Sequence, residues 1–245
     1  MPGASLLLDL RRELTRVAVP ANAPAMQAYM KSAMPCHGVS ATALRAACRK
    51  VFAAHPIASA AAWRRDALAL WNGATRREER YAAIEWTGDA RADAFQTLEA
   101  LPMYEHMIVT GAWWDTVDTL ASRRLGGLLR REPKPMRRLI LAWSRDADIW
   151  KRRSAILCQI RFKEDTDLPL LYACVEPSLE TNLSKGTFKC RVLSATELFF
   201  LRKAIGWALR SYAWTDPKEV VRYVRSREGA LSGLSRREAL KNAGR

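Results

Sequence analysis

Trp114 and Asp118 stand four residues apart in GAWWDTVDTL (residues 111–120), so a helical stretch would put indole and carboxylate on one face. Trp207 and Arg210 stand three apart in AIGWALRSYA, and Arg153 lies within WKRRSAIL. Two aromatic planes, one acid and two guanidinium groups can together meet positive charge beside a polyanion. Lys and Arg alone suffice to bind a polyanion, so a carboxylate facing one needs another reason. Trp113 and Asp115 point elsewhere on the same helix. Trp113 suits core packing, and Asp115 suits a first turn where its charge meets the helix dipole. Asp118 falls in the second turn, where a chemical and a structural role are both open.

These residues sit in a strongly cationic chain. Among 245 residues, 40 Lys and Arg face 25 Asp and Glu, and the excess of +15 favours nucleic acid over an anionic membrane surface. A hydrophobic content of 49% with nine Trp marks a globular chain able to bury a sizeable core. No run reaches the roughly 18 apolar residues of a membrane span. ASLLLDLRREL is too short and too acidic for a secretory signal. A cytoplasmic location, nucleoid-associated when bound to DNA, is therefore expected. Cys36, Cys48, Cys158, Cys174 and Cys190 form no CxxC pair, which suits reduced core thiols. The three His are scattered, so no metal site is expected. Phosphate-binding glycine motifs and the GxSxG elbow are missing.

Apolar residues recur at three- and four-residue steps almost throughout, as in ALRAACRKVFAAH and MRRLILAWSRD, and the spacing predicts an all-α fold. Helix starts are read at Thr75–Glu78, Ser194–Glu197 and Ser235–Glu238 as capping boxes, and at Asp216–Pro217. RYAAIEW (80–86), RRSAIL (152–157) and LRKAIGW (201–207) echo one another, which suggests stacked helical pairs of a HEAT-like solenoid. Such a stack leaves a concave groove. Residues 176–194 read as a basic loop inserted between helices, with Pro177, Asn182, Ser184, Gly186 and Thr187 as helix breakers. Seven Arg or Lys face only Glu132 between Arg123 and Arg138, where positioning of phosphates would explain the scarcity of acids.

Five segments in order, AMQAYMKS, LEALPMYEHMIVTGAWWDTVD, DIWKRRSAILCQIRFK, FFLRKAIGWALRSYA and LSRREALK, resemble the AlkD-type DNA alkylpurine glycosylases over nearly the whole chain. The resemblance implies one HEAT-like domain over residues 1–245, a curved right-handed superhelix whose concave basic groove binds duplex DNA. It implies a monomer without metal or organic cofactor. The implied activity is hydrolysis of the N-glycosidic bond of N3- and N7-alkylated purines, without the full base extrusion usual among glycosylases. Position by position, Asp118 corresponds to the catalytic carboxylate, and Trp114 and Trp207 to aromatic walls around the lesion's deoxyribose. Arg153 and Arg210 correspond to contacts with the DNA backbone, and Tyr29 to a further groove residue.

The chemistry fits such residues. An alkylated purine is already cationic and departs neutral, so one carboxylate can suffice where ordinary glycoside cleavage calls for two. Asp118 would stabilise the oxocarbenium-like sugar and orient a water, with indole faces adding cation–π contact. Ser40 stands where the family commonly has Gln, and the 176–194 segment, with Lys185 as a DNA-contact candidate, is longer than the resemblance requires. Both departures bear on which adducts are accepted, including bulky natural-product adducts in a self-resistance role. The alternative is a DNA-binding HEAT-repeat protein without catalysis.

Overall fold

The computed structural model describes residues 2–184 and 192–243, and these are helical, with no β-strand among them. Lys185, together with Gly186 and Thr187 of the expected insertion, lies outside the described residues. Met1–Met103 and Tyr104–Arg245 form two compact units.

The first unit contains α1 (Pro2–Val17), α2 (Ala23–Met30), α3 (Ala41–Ala53), α4 (Ala60–Gly73) and α5 (Arg77–Trp86). In α1, Leu6, Leu10 and Leu14 recur every four residues and are buried, so this helix packs its apolar stripe on α3 and α4. Trp63, Trp71 and Trp86 are among the largest fully buried side chains. Burying an indole strands its N–H unless a partner is found. Trp63 and Trp86 solve this reciprocally, each donating to the other's backbone carbonyl at 3.3 and 3.2 Å. Ahead of α3, Gly38 adopts φ +87°, and a Cβ there would collide with the Val19 carbonyl. Glu78 fastens this turn by accepting from the backbone N–H groups of His37, Gly38 and Val39 at 2.8, 2.9 and 3.1 Å.

That use of Glu78 overturns the capping box expected at Thr75. The helix starts at Arg77, and it is Glu79 that reaches back to accept from the Thr75 N–H at 2.8 Å. The box expected at Ser235 is also displaced. There the helix begins at Gly233, and the Ser232 hydroxyl accepts from the Ser235 N–H at 3.0 Å. Ser194–Glu197 does form a reciprocal box, and Asp216 accepts from the Glu219 N–H at 2.9 Å.

The chain continues through α6 (Leu101–Gly111), α7 (Trp114–Thr119), a π-helical turn (Leu120–Leu125), α8 (Gly126–Arg131) and α9 (Pro133–Trp143). Then follow α10 (Ile149–Leu157), α11 (Leu168–Val175), α12 (Glu180–Ser184), α13 (Ala195–Tyr212), α14 (Pro217–Ser226) and α15 (Gly233–Ala239). Helix α12 and the preceding 3₁₀ turn at Glu176–Ser178 show that the first half of the expected loop is helical. Buried Pro177, Ser178 and Leu179 hold it down, so tertiary contact overrides the local breakers. The second unit centres on α10, which packs on α7, α9, α11 and α13. Every residue of α10 except Lys151 is buried. The echoed Ala82, Ala155 and Ala204 are among the buried residues of α5, α10 and α13, where a small side chain suits close helix packing. Gly206 does likewise for α15, because a Cβ there would press on Glu238 and the Ser235 carbonyl.

A pH test follows from Glu79. Burial alone would raise its pKa, but bonds from His37, Arg11 and the Thr75 N–H bring it down from 4.5 to about 2. A depressed acid contributes stability that is present above the unfolded value and lost as pH falls through the folded one. Glu79→Gln should therefore cost roughly 2–3 kcal/mol at neutral pH. The difference from wild type should vanish between pH 4.5 and about 2 in urea titrations.

Candidate functional site: a buried carboxylate and guanidinium

A helix with almost no solvent face must satisfy its polar side chains internally. Arg153 is on such a helix, α10, and is only 4% exposed. Its Nε donates to Asp118 Oδ1 at 2.6 Å and its Nη2 to Oδ2 at 2.8 Å, a two-pronged fork. Its Nη1 donates to the backbone carbonyl of Phe200 on α13 at 2.6 Å. The neighbouring Arg152 is also buried and donates from Nε to the Asp146 carbonyl at 2.6 Å. Three helices thus meet at one guanidinium.

Asp118 comes from α7, which starts at Trp114 with Trp113 as its N-cap residue. About a tenth of the Asp118 side-chain surface remains accessible. Burial pushes this carboxyl above the ordinary carboxylate range; the Arg153 fork opposes that and the nearby Asp115 charge adds to it. Helical spacing keeps Trp114 on the Asp118 face, and the indole is half-buried. Directly after α7 the backbone widens into the π-helical turn, a rare form that recurs at functional sites.

An aromatic cluster walls the pair, and only part of it was foreseeable. Trp113 meets Phe200 edge-on with ring centres 5.2 Å apart and lies 6.3 Å from Trp150, which is 5.0 Å from Phe200. The Arg153 guanidinium carbon lies 5.8 Å from the Phe200 ring centre. Trp113 therefore packs, as its position predicts. Trp150 and Phe200 were missed. Their signals were the three-residue spacing of Trp150 from Arg153 and the Phe199–Phe200 doublet opening α13.

Other sequence candidates land in varied places. Trp207 is half-buried on α13, seven residues beyond Phe200 and hence on nearly the same face. Arg153, expected against a phosphate, is instead drawn inside because Asp118 and the Phe200 carbonyl claim its donors. Arg210 also has an internal partner, Glu238 Oε2 at 2.7 Å, but keeps 29% of its side-chain surface exposed. Tyr29 on α2 is 74% exposed. Ser40 is exposed, and its hydroxyl caps α3 by accepting from the Ala43 N–H at 3.3 Å, a local duty its sequence position did not announce. Within the basic stretch, Arg130 and Arg137 pair with Asp165 and Asp167, whereas Arg123, Lys134 and Arg138 are exposed. Among the described residues, no cluster of His, Cys, Asp and Glu is arranged to hold a metal ion. None of their helices is long and apolar enough to cross a membrane.

Comparison with known proteins bears on this arrangement. Residues 10–243 match the family model described as DNA alkylation repair enzyme. A solved structure named "Predicted DNA alkylation repair enzyme from Enterococcus faecalis" is 26% identical with a TM-score of 0.73, covering 91% of this chain and 95% of that one. Its all-helical repeat fold is the fold of this chain. No curated protein matches the chain.

Removing one partner of a buried ion pair leaves an uncompensated charge. Arg153→Ala should therefore lower stability by about 3–5 kcal/mol, read by urea denaturation at neutral pH. The double change with Asp118→Ala should recover part of that loss, because it strands no charge.

Proposed function

The chain belongs to the DNA alkylation repair enzyme family, and from that premise we propose that it is a DNA glycosylase acting on cationic N3- and N7-alkylated purines in duplex DNA. The observation that carries this reading is Asp118, fixed on both oxygens by Arg153 with Trp114 one turn away on its own helix. In the proposed reaction the bond from sugar carbon to purine nitrogen breaks, and its electron pair goes to the purine. The base leaves neutral. Positive charge passes to the sugar, a water adds to that carbon, and one proton is released. No acid is needed at the leaving group, which accounts for a single carboxylate.

Arg153 bears on how Asp118 would act. A carboxylate already paired with a guanidinium presents an oriented dipole, not a bare charge. Two oxygens held by a rigid fork cannot reorient away from the developing cation, and such preorganisation is what electrostatic catalysis requires. Trp114 and Trp207 are proposed as the aromatic faces toward the sugar. Arg210, Tyr29, Ser40 and Lys185 are proposed on the DNA backbone, and Arg153 as the residue that positions Asp118. The proposed working form is a monomer that needs no metal or organic cofactor. Small methyl adducts are the proposed substrates, with bulky adducts and a self-resistance role as the wider form.

A second reading is favoured by one specific observation. Asp118 and Arg153 are buried and satisfied by each other, as a purely structural pair would be. On that reading the protein binds DNA without cleaving it. Base release from duplex containing 7-methylguanine separates the two. Asp118→Asn should slow release on the order of 10²–10³-fold while leaving duplex binding within a fewfold. Wild-type-like turnover by this variant would remove Asp118 from the chemistry. No release by the wild-type protein from methyl or bulkier adducts would establish the binding reading.

A further inference from the structure

Helix α13 carries a second pattern beyond Trp207. Phe199, Lys203, Trp207, Arg210 and Trp214 follow one another at steps of four, four, three and four residues. That spacing keeps all five along one line, aromatic and cation alternating. Trp214 ends the line in the turn after α13, and at 67% exposure it is the largest hydrophobic side chain left open to solvent among the described residues.

A cleft of about 450 Å³ opens beside that indole, lined by Ile160, Arg161, Lys163, Glu164, Trp214 and Thr215. Its inner wall is closed by the Ser211 hydroxyl, which donates to the Ile160 carbonyl at 2.7 Å. Arg161 and Lys163 are exposed, and no described acid pairs with either. This differs from nearby Arg130, held by Asp165. The cleft therefore offers an uncovered indole face with two available cations against one acid, Glu164. Stacking on an aromatic plane with cations along the backbone is how proteins hold unpaired nucleotides. A base inside an intact duplex hides its faces in the stack, so an indole of this exposure gains most from an unpaired one.

We propose that Trp214, Arg161 and Lys163 form a binding site for an unpaired nucleotide of the DNA, separate from the Asp118 site and additional to it. The proposal rests on the glycosylase reading for the position of the lesion. Seven residues separate Trp207 from Trp214, roughly 10 Å along the helix axis. For a strand that runs along α13 at about 3.4 Å per nucleotide, this spacing would put the unpaired base about three nucleotides from the purine under attack. The chain would then favour alkylated DNA that is bulged or gapped near the lesion.

The test uses duplexes with an unpaired 2-aminopurine placed two, three or four nucleotides from a 7-methylguanine, on either side, against a fully paired duplex. The wild-type protein should quench 2-aminopurine fluorescence at one of these positions and bind that duplex on the order of tenfold tighter than the paired one. Trp214→Ala should abolish the quenching and the preference, and Trp214→Phe should keep most of both. Arg161→Ala with Lys163→Ala should shrink the preference and flatten its salt dependence. Equal binding of paired and unpaired probes by the wild type would overturn the proposal, as would quenching that survives in Trp214→Ala. Concentration-dependent self-association lost in Trp214→Ala, without any quenching in the wild type, would overturn it too and assign the indole to a protein contact. Release of 7-methylguanine from the paired duplex is read in parallel. Release without a preference sinks only this site, whereas no release from any probe sinks the glycosylase reading.

Discussion

The second unit depends on one fork of hydrogen bonds, from Arg153 to Asp118. Both charges are out of water, and their desolvation is offset only because the fork is two-pronged and the Phe200 carbonyl takes a third donor. A pair of this kind adds little net stability, but it strongly penalises any arrangement that separates the partners. It therefore acts on specificity: a placement of α7 against α10 that separates the two would leave Arg153 or Asp118 buried without its partner. The aromatic rings of Trp113, Trp150 and Phe200 reinforce this by keeping water away.

The same constraint bears on chemistry. Burial and the guanidinium pull the Asp118 carboxyl in opposite directions, and the balance leaves it raised. An acid in that state is rigid and poorly hydrated, with a tenth of its side chain reachable. In the proposed reaction a positive sugar would meet an acceptor with little water to shed and little freedom to turn. Charge elsewhere in the unit follows a looser rule. Among the described residues, Glu238 is the one acid paired with Lys203, Arg210 and Lys241, so that cluster keeps a positive excess near α13 while still being anchored.

Much of the architecture was legible because it is periodic. Helices announce themselves at intervals of three and four residues, and the Ala echoes at 82, 155 and 204 mark buried faces in α5, α10 and α13. Ser194 and Asp216 were readable as caps because their partners lie three residues away. Thr75 and Ser235 misled for the same reason. The pattern of residue types was right, but Glu78 was claimed by the turn at residues 37–39 and a better cap stood at Ser232. Part of the 176–194 segment was misjudged because burial of Pro177 and Leu179 stabilises helix where local preference opposes it.

The sequence by itself determined what lies within about one turn of each residue: the all-helical fold, the shared face of Trp114 and Asp118, the packing role of Trp113 and the cationic surface. Only the tertiary structure decided that Arg153 points inward to Asp118, 35 positions away, and that Phe200 closes the set from a third helix. The physical reason is range. Backbone geometry sets intrahelical neighbours, whereas a guanidinium's partner across helices is set by which charges would otherwise be buried alone, a property of the packed whole.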